Sequence, residues 1–421
     1  MLQHTAPQRI AAAGDRLSSI NWVVVIAATL IAIWALTLGS SIGMKGGWLI
    51  DANGVAQNND FNNVYTAGQF VLQGEPGAAY DWERHKQAQI ALTQNPNSTF
   101  FPWPYPPMFL FVASLLALMP YAVSMFTWSA GTLALFALPL WRIAARPAHF
   151  AILLALPAVW LNTYVGQNGA FTAALIGLAL LALPTRPVLA GIFIGLLSYK
   201  PHLGLLFPIA LIAAGQWRAF VAAGVTVTAL IVATILAYGV APWLAWPGQL
   251  EQVMAIVKVA DTPERLQSLF GLSMSLGIPT SVGTAAQFAL TLMLVAGIAW
   301  TWHRKDIPYD LKAGLLATAV TLASPYQFVY DLPVLTIAQA FLLHHISSAG
   351  RISAIDIATL FIVNACVFLF AATSVPLGIV GCAGLLAFTI HKIISAASLS
   401  RPPATATAHD PHHGGICDLK A

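Results

Sequence analysis

Asp60 is the first residue of this chain whose setting invites chemistry. It stands in NNDFNNVYTAGQF, a carboxylate among amides with Tyr65 close behind. A carboxylate in such a setting can act as a general base, taking a proton from an acceptor hydroxyl. Asp is equally at home as a helix N-cap, where the positive end of the dipole favours it, and spacing alone leaves both readings open. Asp51 is a second carboxylate, nearer the first apolar span, while Asp81 and Glu83 belong to YDWERHKQ, which reads as a solvated helix face.

Lys200 is the second anchor, ending an apolar run in LLSYKPHLG with His202 two residues on. Snorkelling to the interface accounts for many such lysines. An ammonium near membrane depth is nevertheless costly and marks function, and here it could meet the phosphate of a lipid carrier as a point charge. Gln167 and Asn168, in YVGQNGAF, form either a tight Gly-rich turn or a pair of carboxamides aimed at sugar hydroxyls. Tyr326 and Asp331 lie in SPYQFVYD, a helix break with hydrogen-bonding groups, although tyrosines also populate the interfacial belt. Arg265 and Lys258 sit beside an amphipathic pattern of Val253, Ile256, Val257, Leu266 and Leu269, where they would face lipid phosphates or solvent.

The elements that must hold these residues are membrane helices. Hydrophobic residues make up 58% of the 421 and charged residues only 8%, against about 25% charged in soluble domains. Apolar blocks near the roughly 20 residues needed to cross a bilayer recur from Trp22 to Lys392. The fold class is therefore all-α and polytopic, with about twelve transmembrane helices expected in the apolar windows 22–40, 121–141, 149–163, 168–184, 188–200, 202–215, 218–240, 284–302, 312–324, 327–345, 352–371 and 374–392. Residues 1–21 form a polar N-terminal segment, 22–395 the integral membrane domain and 396–421 a polar tail.

The stretch 108–119 decides the topology. If it lies on the membrane surface, thirteen of the nineteen Lys and Arg fall on one side, which the positive-inside rule makes cytoplasmic, with both termini. The long loop 41–120, Gly166-Gln167-Asn168, the turn around Lys200, the loop 241–283 and Ser324–Asp331 then share the opposite, outer face of an inner (plasma) membrane. Long polar connections of this kind usually carry binding or catalysis.

Composition also excludes. Cys366, Cys382 and Cys417 give neither a disulfide framework nor a zinc pattern, and the carboxylates show no metal-ligand spacing. The basic residues are scattered at helix ends, so no nucleic acid is expected as partner. No P-loop, GxGxxG, HExxH or GxSxG appears, and the His-rich HDPHHGG tail supports only adventitious metal affinity.

In order and setting these residues resemble glycosyltransferase family 87, within the GT-C superfamily and related to polyprenyl-phosphomannose-dependent mannosyltransferases. The resemblance rests on Asp60, Phe61 and Tyr65, then Gly74 and Tyr80, Tyr105-Pro106-Pro107 opening an apolar helix, and Trp128. It continues through Gly166-Gln167-Asn168, Gly191, Tyr199-Lys200-Pro201, Gln216-Trp217-Arg218-Ala219 and Ser324-Pro325, spanning roughly residues 20–345. SPYQFVYD departs from the family, which often has Trp or His there.

The resemblance implies a GT-C fold with juxtamembrane helices in the first outer loop. It implies a polyprenyl-phosphate sugar donor, a glycolipid or glycan acceptor, and inverting transfer of a mannose-like hexose with Asp60 as base and Lys200 as phosphate partner. Substrate contacts are expected from His202, Tyr65, Tyr105, Gln167, Asn168, Tyr326, Asp331 and Arg265. No cofactor is called for, because the phosphate linkage of the donor supplies the energy. The competing reading, a transporter or flippase of lipid-linked saccharides, would need a polar path through the midplane or broken-helix repeats.

Overall fold

The computed structural model describes residues 29–37, 39–40, 47–144, 146–259, 265–350, 352–373 and 375–399. Residues 1–21, Cys417 and the His-rich tail lie outside them. Proline sets where many helices begin: Pro147, Pro157, Pro187, Pro201 and Pro333 each stand in the first helical turn, where a missing N–H costs nothing.

Among the described residues, five helices are long and apolar enough to cross a membrane: Tyr121–Ala144, Trp217–Tyr238, Thr280–His303, Val329–Ser348 and Leu377–Ala396. A sixth arises if Pro147–Leu154 and Pro157–Val165, bent by 49° at their junction, count as one. Several remaining windows are shorter apolar helices, among them Gly169–Ala182, Pro187–Tyr199 and Pro201–Ala213. At 1.5 Å per residue, the 14 residues of Gly169–Ala182 reach about 21 Å, short of a hydrocarbon core of about 30 Å. Twelve apolar windows are thus not twelve full-length spans, because prolines and the polar turns at Gln167 and Lys200 interrupt the helices.

The short helices form the interior. Gly169–Ala182 is apolar on every side and buried on almost every side, as such a helix must be. It packs against Tyr121–Ala144, Pro187–Leu196 and Pro333–Ser348, and the last of these pairs with Tyr309–Ala323. Trp217–Tyr238 and Ala354–Thr373 stand at the periphery, with Val221, Val225, Leu236, Ile355 and Phe361 facing outward.

The polar stretch after the first span is itself helical. Phe61–Leu72 packs across Leu110–Ala117, where Gly68 lets the two backbones meet. Leu110–Ala117 is only 8 residues long, too short to cross a bilayer. It buries Leu110, Ala113 and Leu116 and turns Leu115 and Leu118 outward. Trp82–Thr93 is capped by Asp81, which accepts from the Arg84 amide at 3.0 Å. Its face is not wholly solvated: His85 is buried between Phe70 and Phe100, and burial pushes its imidazole down to about 3.

A late helix, Ala241–Val259, fastens onto this first loop. The Trp246 indole donates to the Pro104 carbonyl at 2.9 Å, and the Gln249 amide donates to the carbonyl of Tyr80. The side chains of Val253, Ile256, Val257 and Lys258 lie outside the described residues. Leu266 is buried, not lipid-facing.

The Gly68 contact is open to test. A Cβ there would stand 2.0 Å from the Ala113 carbonyl oxygen, whereas one at Gly131 would meet open space. Gly68→Ala should destabilise by about 1–3 kcal/mol, as overpacking does, and Gly131→Ala should be neutral or stabilising. Thermal unfolding of both variants in detergent checks this; equal behaviour would mean the helices do not meet so closely.

Candidate active site

The first loop, the Gly166 turn, the 265–268 segment and the helix break at 328–330 converge on one cavity of about 690 Å³. Among the described residues its wall carries amides (Asn58, Asn59, Asn63, Gln167), aromatic rings (Trp48, Phe100, Tyr105, Tyr164, Tyr330), one carboxylate, Asp60, and one guanidinium, Arg265. These come from segments that the charge pattern alone groups on one face.

Asp60 occupies the N-cap position of Phe61–Leu72 but makes no cap hydrogen bond. Asn59 does that work, its Oδ1 accepting from the Phe61 amide at 3.0 Å. Tyr121 clamps the helix start, its hydroxyl reaching Asn59 Oδ1 at 3.1 Å and Asn62 Oδ1 at 2.5 Å. The Asp60 carboxylate is left to border the cavity, with Gln167 Nε2 donating to its Oδ1 at 3.1 Å. Burial pushes this carboxyl up to about 6, against the lowering effect of the Gln167 hydrogen bond and of the positive charges of Arg265 and Lys200.

Gln167 reaches Asp60 because Gly166 is in the left-handed region at φ 71°, ending the Pro157–Val165 helix. A Cβ at Gly166 would stand 2.9 Å from Phe61 Cβ, so a larger residue would push the two segments apart. The Gln167 carbonyl oxygen is held by two donors, the Tyr105 hydroxyl and the Asn168 amide, each at 3.3 Å. Tyr105 is itself buried, edge-on to Trp103, and its backbone carbonyl accepts from Tyr80 at 3.0 Å.

Lys200 stands one layer deeper, away from the cavity wall. It is 5% exposed, and its ammonium pairs with Asp331, which is 1% exposed. It also donates to Asn168 Oδ1 at 2.6 Å and lies 5.2 Å from the centre of the Tyr330 ring. The lysine expected to seek a phosphate already has a carboxylate partner. Asn168 and Asp331 correspondingly contact Lys200 and do not line the cavity.

The other expected contacts are placed elsewhere. Tyr65 is buried, donating to the Met119 carbonyl at 3.0 Å and packing edge-on to Tyr121. Tyr326 packs edge-on to Phe270, and His202 is half-buried; neither lines the cavity. Arg265 is on the wall and exposed, fixed by the antiparallel bridge of Leu266 with Phe328 and the Gln267 amide donating to Gln327 O at 2.6 Å. Trp48, Asn58, Asn63 and Tyr164 are wall residues that sequence reasoning passed over. The run of amides around Asp60 was the available signal for the asparagines; nothing local marked Trp48 or Tyr164.

The sequence profile of glycosyltransferase family 87 matches residues 103–325, more than half of the chain. The chain belongs to glycosyltransferase family 87. As a family 87 member it is a membrane glycosyltransferase. No curated protein and no solved structure matches it. The match takes in Tyr105, Gln167, Asn168, Lys200 and Arg265 of the family 87 enzyme, while Asp60 and Asp331 fall outside it.

The buried pair yields a prediction. Lys200→Met or Asp331→Asn alone strands a charge and should lower stability by about 3–5 kcal/mol. The double variant Lys200→Met/Asp331→Leu removes both charges and should regain most of that loss. Thermal unfolding of the four proteins side by side measures it; additive losses would show that the two residues do not act as a pair.

Proposed function

We propose that this family 87 enzyme transfers a mannose-like hexose from a polyprenyl-phosphate donor to a hydroxyl of a glycolipid or glycan acceptor, with inversion. The reaction runs at the outer face of the inner (plasma) membrane, on a GT-C fold. The observation that carries the reading is Asp60, a carboxylate that does not cap its own helix, borders the cavity and is held through one oxygen by Gln167.

Asp60 takes the proton of the acceptor hydroxyl, whose oxygen forms a bond to the anomeric carbon. The bond from that carbon to the phosphate oxygen breaks, and its electron pair leaves with the polyprenyl phosphate. Attack from the face opposite the leaving group inverts the anomeric centre. A carboxyl titrating at about 6 is ionised at neutral pH yet more basic than an ordinary aspartate, which suits general-base work.

Arg265 is the cation on the cavity wall and offsets the charge that develops on the leaving phosphate. Asn58, Asn59 and Asn63 supply hydrogen bonds for sugar hydroxyls, and Trp48, Tyr105 and Tyr164 supply apolar ring faces.

The test is transfer of radiolabelled sugar from polyprenyl-phosphate donors to extracted membrane glycolipids by purified protein in lipid. Wild type should transfer, with a rate that rises through about pH 6 as Asp60 loses its proton. Asp60→Asn should lose about 10²–10⁴-fold, and Arg265→Ala should lower kcat more than it raises the donor KM. Equal rates in wild type and a folded Asp60→Asn would remove Asp60 from the mechanism. No transfer with any donor, beside movement of lipid-linked saccharide across the same vesicles, would replace the transferase by a transporter.

A further inference from the structure

Behind the cavity wall a continuous hydrogen-bonded chain runs from Asp60 to Asp331. Gln167 Nε2 donates to Asp60, and the backbone N–H of Asn168 donates to Gln167 Oε1. The Lys200 ammonium holds Asn168 Oδ1 at one side and Asp331 at the other. The last three members are at most 5% exposed, so water does not compete for these bonds. Asp331 Oδ2 and Asn168 Nδ2 are buried without a hydrogen-bond partner among the described residues, so the layer is joined through the Lys200 ammonium.

Each link has a defined sense. Gln167 Oε1 faces two donors, Tyr105 and the Asn168 amide, so its NH₂ must turn to Asp60. That N–H belongs to the backbone of Asn168, whose carbonyl oxygen accepts from the Thr172 amide and hydroxyl and whose side-chain oxygen accepts from Lys200. Lys200 in turn can remain buried and charged only with Asp331 beside it.

We infer that the Lys200–Asp331 pair is a positioning device for the base. Acting through Asn168 and Gln167, it holds the Asp60 carboxylate at the reacting hydroxyl and does not itself contact the donor phosphate. This rests on the assignment of Asp60 as the base. Loss of the chain lets the backbone at Asn168 shift with Gln167 attached, which weakens the Gln167 hydrogen bond to the ionised carboxylate and moves its titration to higher pH. The groups that face Asp60 electrostatically are Arg265, Lys200 and the hydroxyls of Tyr105 and Tyr330. Arg265 is untouched by the variants used below; the double variant also removes the direct charge of Lys200, so Asn168→Ala, which keeps that charge, is the deciding variant.

Two variants test the inference, each with one direct and one kinetic readout. Asn168→Ala cuts the chain and leaves the ion pair in place. Lys200→Met/Asp331→Leu removes the pair without stranding a charge. The direct readout is the protonation of Asp60, followed by infrared difference spectroscopy against the corresponding Asp60→Asn protein, which needs no turnover. Both variants should raise the Asp60 midpoint by about half a unit or more. In the transfer assay both should lower kcat about tenfold, the value of one charge-assisted hydrogen bond, with the donor KM unchanged.

Midpoints and kcat equal to wild type in both variants would overturn the inference. So would a double variant that raises the donor KM at unchanged kcat, since that would make Lys200 a phosphate contact. If wild type transfers no sugar, the proposed reaction falls on that result, and the infrared midpoints still decide whether the pair governs Asp60.

Discussion

An ammonium buried among apolar helices has to be neutralised where it stands, because neither lipid nor the packed interior offers water. Lys200 meets this requirement with Asp331, 131 residues away in the chain. Its ammonium joins the turn before Pro201 to the break that precedes Pro333. Both breaks follow from the same need. A continuous helix through either point would satisfy its own backbone but would place the two charges on separate surfaces. Short helices, interrupted by prolines, bring the two ends to one depth and leave Asn168 between them.

The cavity above this layer is built differently. Among the described residues its wall mixes neutral amides and aromatic rings with one anion and one cation. Such a wall suits a ligand with many hydroxyls and one concentrated negative charge. The pair below contributes little net charge, so the local field is set mainly by Asp60 and Arg265. A neutral support under a charged wall lets the base be held firmly without being suppressed by an adjacent unpaired cation.

Part of this was legible from residue types. Prolines mark helix starts, and the amides around Asp60 mark a polar concavity. Charge distribution alone gathered the first loop, Gln167, Arg265 and the 324–331 break, and these segments do meet. Other features depend on distances that spacing does not encode. Whether Asp60 caps its helix is decided by Asn59, one residue away and chemically as able to cap. The Lys200–Asp331 contact joins segments with no shared local pattern, so Lys200 read as an available cation. Tyr65 looked like a neighbour of Asp60, but helical geometry turns it toward Met119 and Tyr121. Hydropathy windows marked where apolar helices lie to within a few residues, but not which of them are too short to cross a bilayer or, as at 149–163, bent at a proline.

The hold of Ala241–Val259 on Pro104 and Tyr80 bears on how such proteins can diverge. The residues that join the first polar loop to this late helix are 142 and 169 positions apart, yet they share one hydrogen-bonded seam beside the cavity. Transplanting the loop alone into a relative would leave its carbonyls facing a foreign helix. Loop and helix are therefore expected to be inherited as a unit, and a change of acceptor should leave its mark in both segments together.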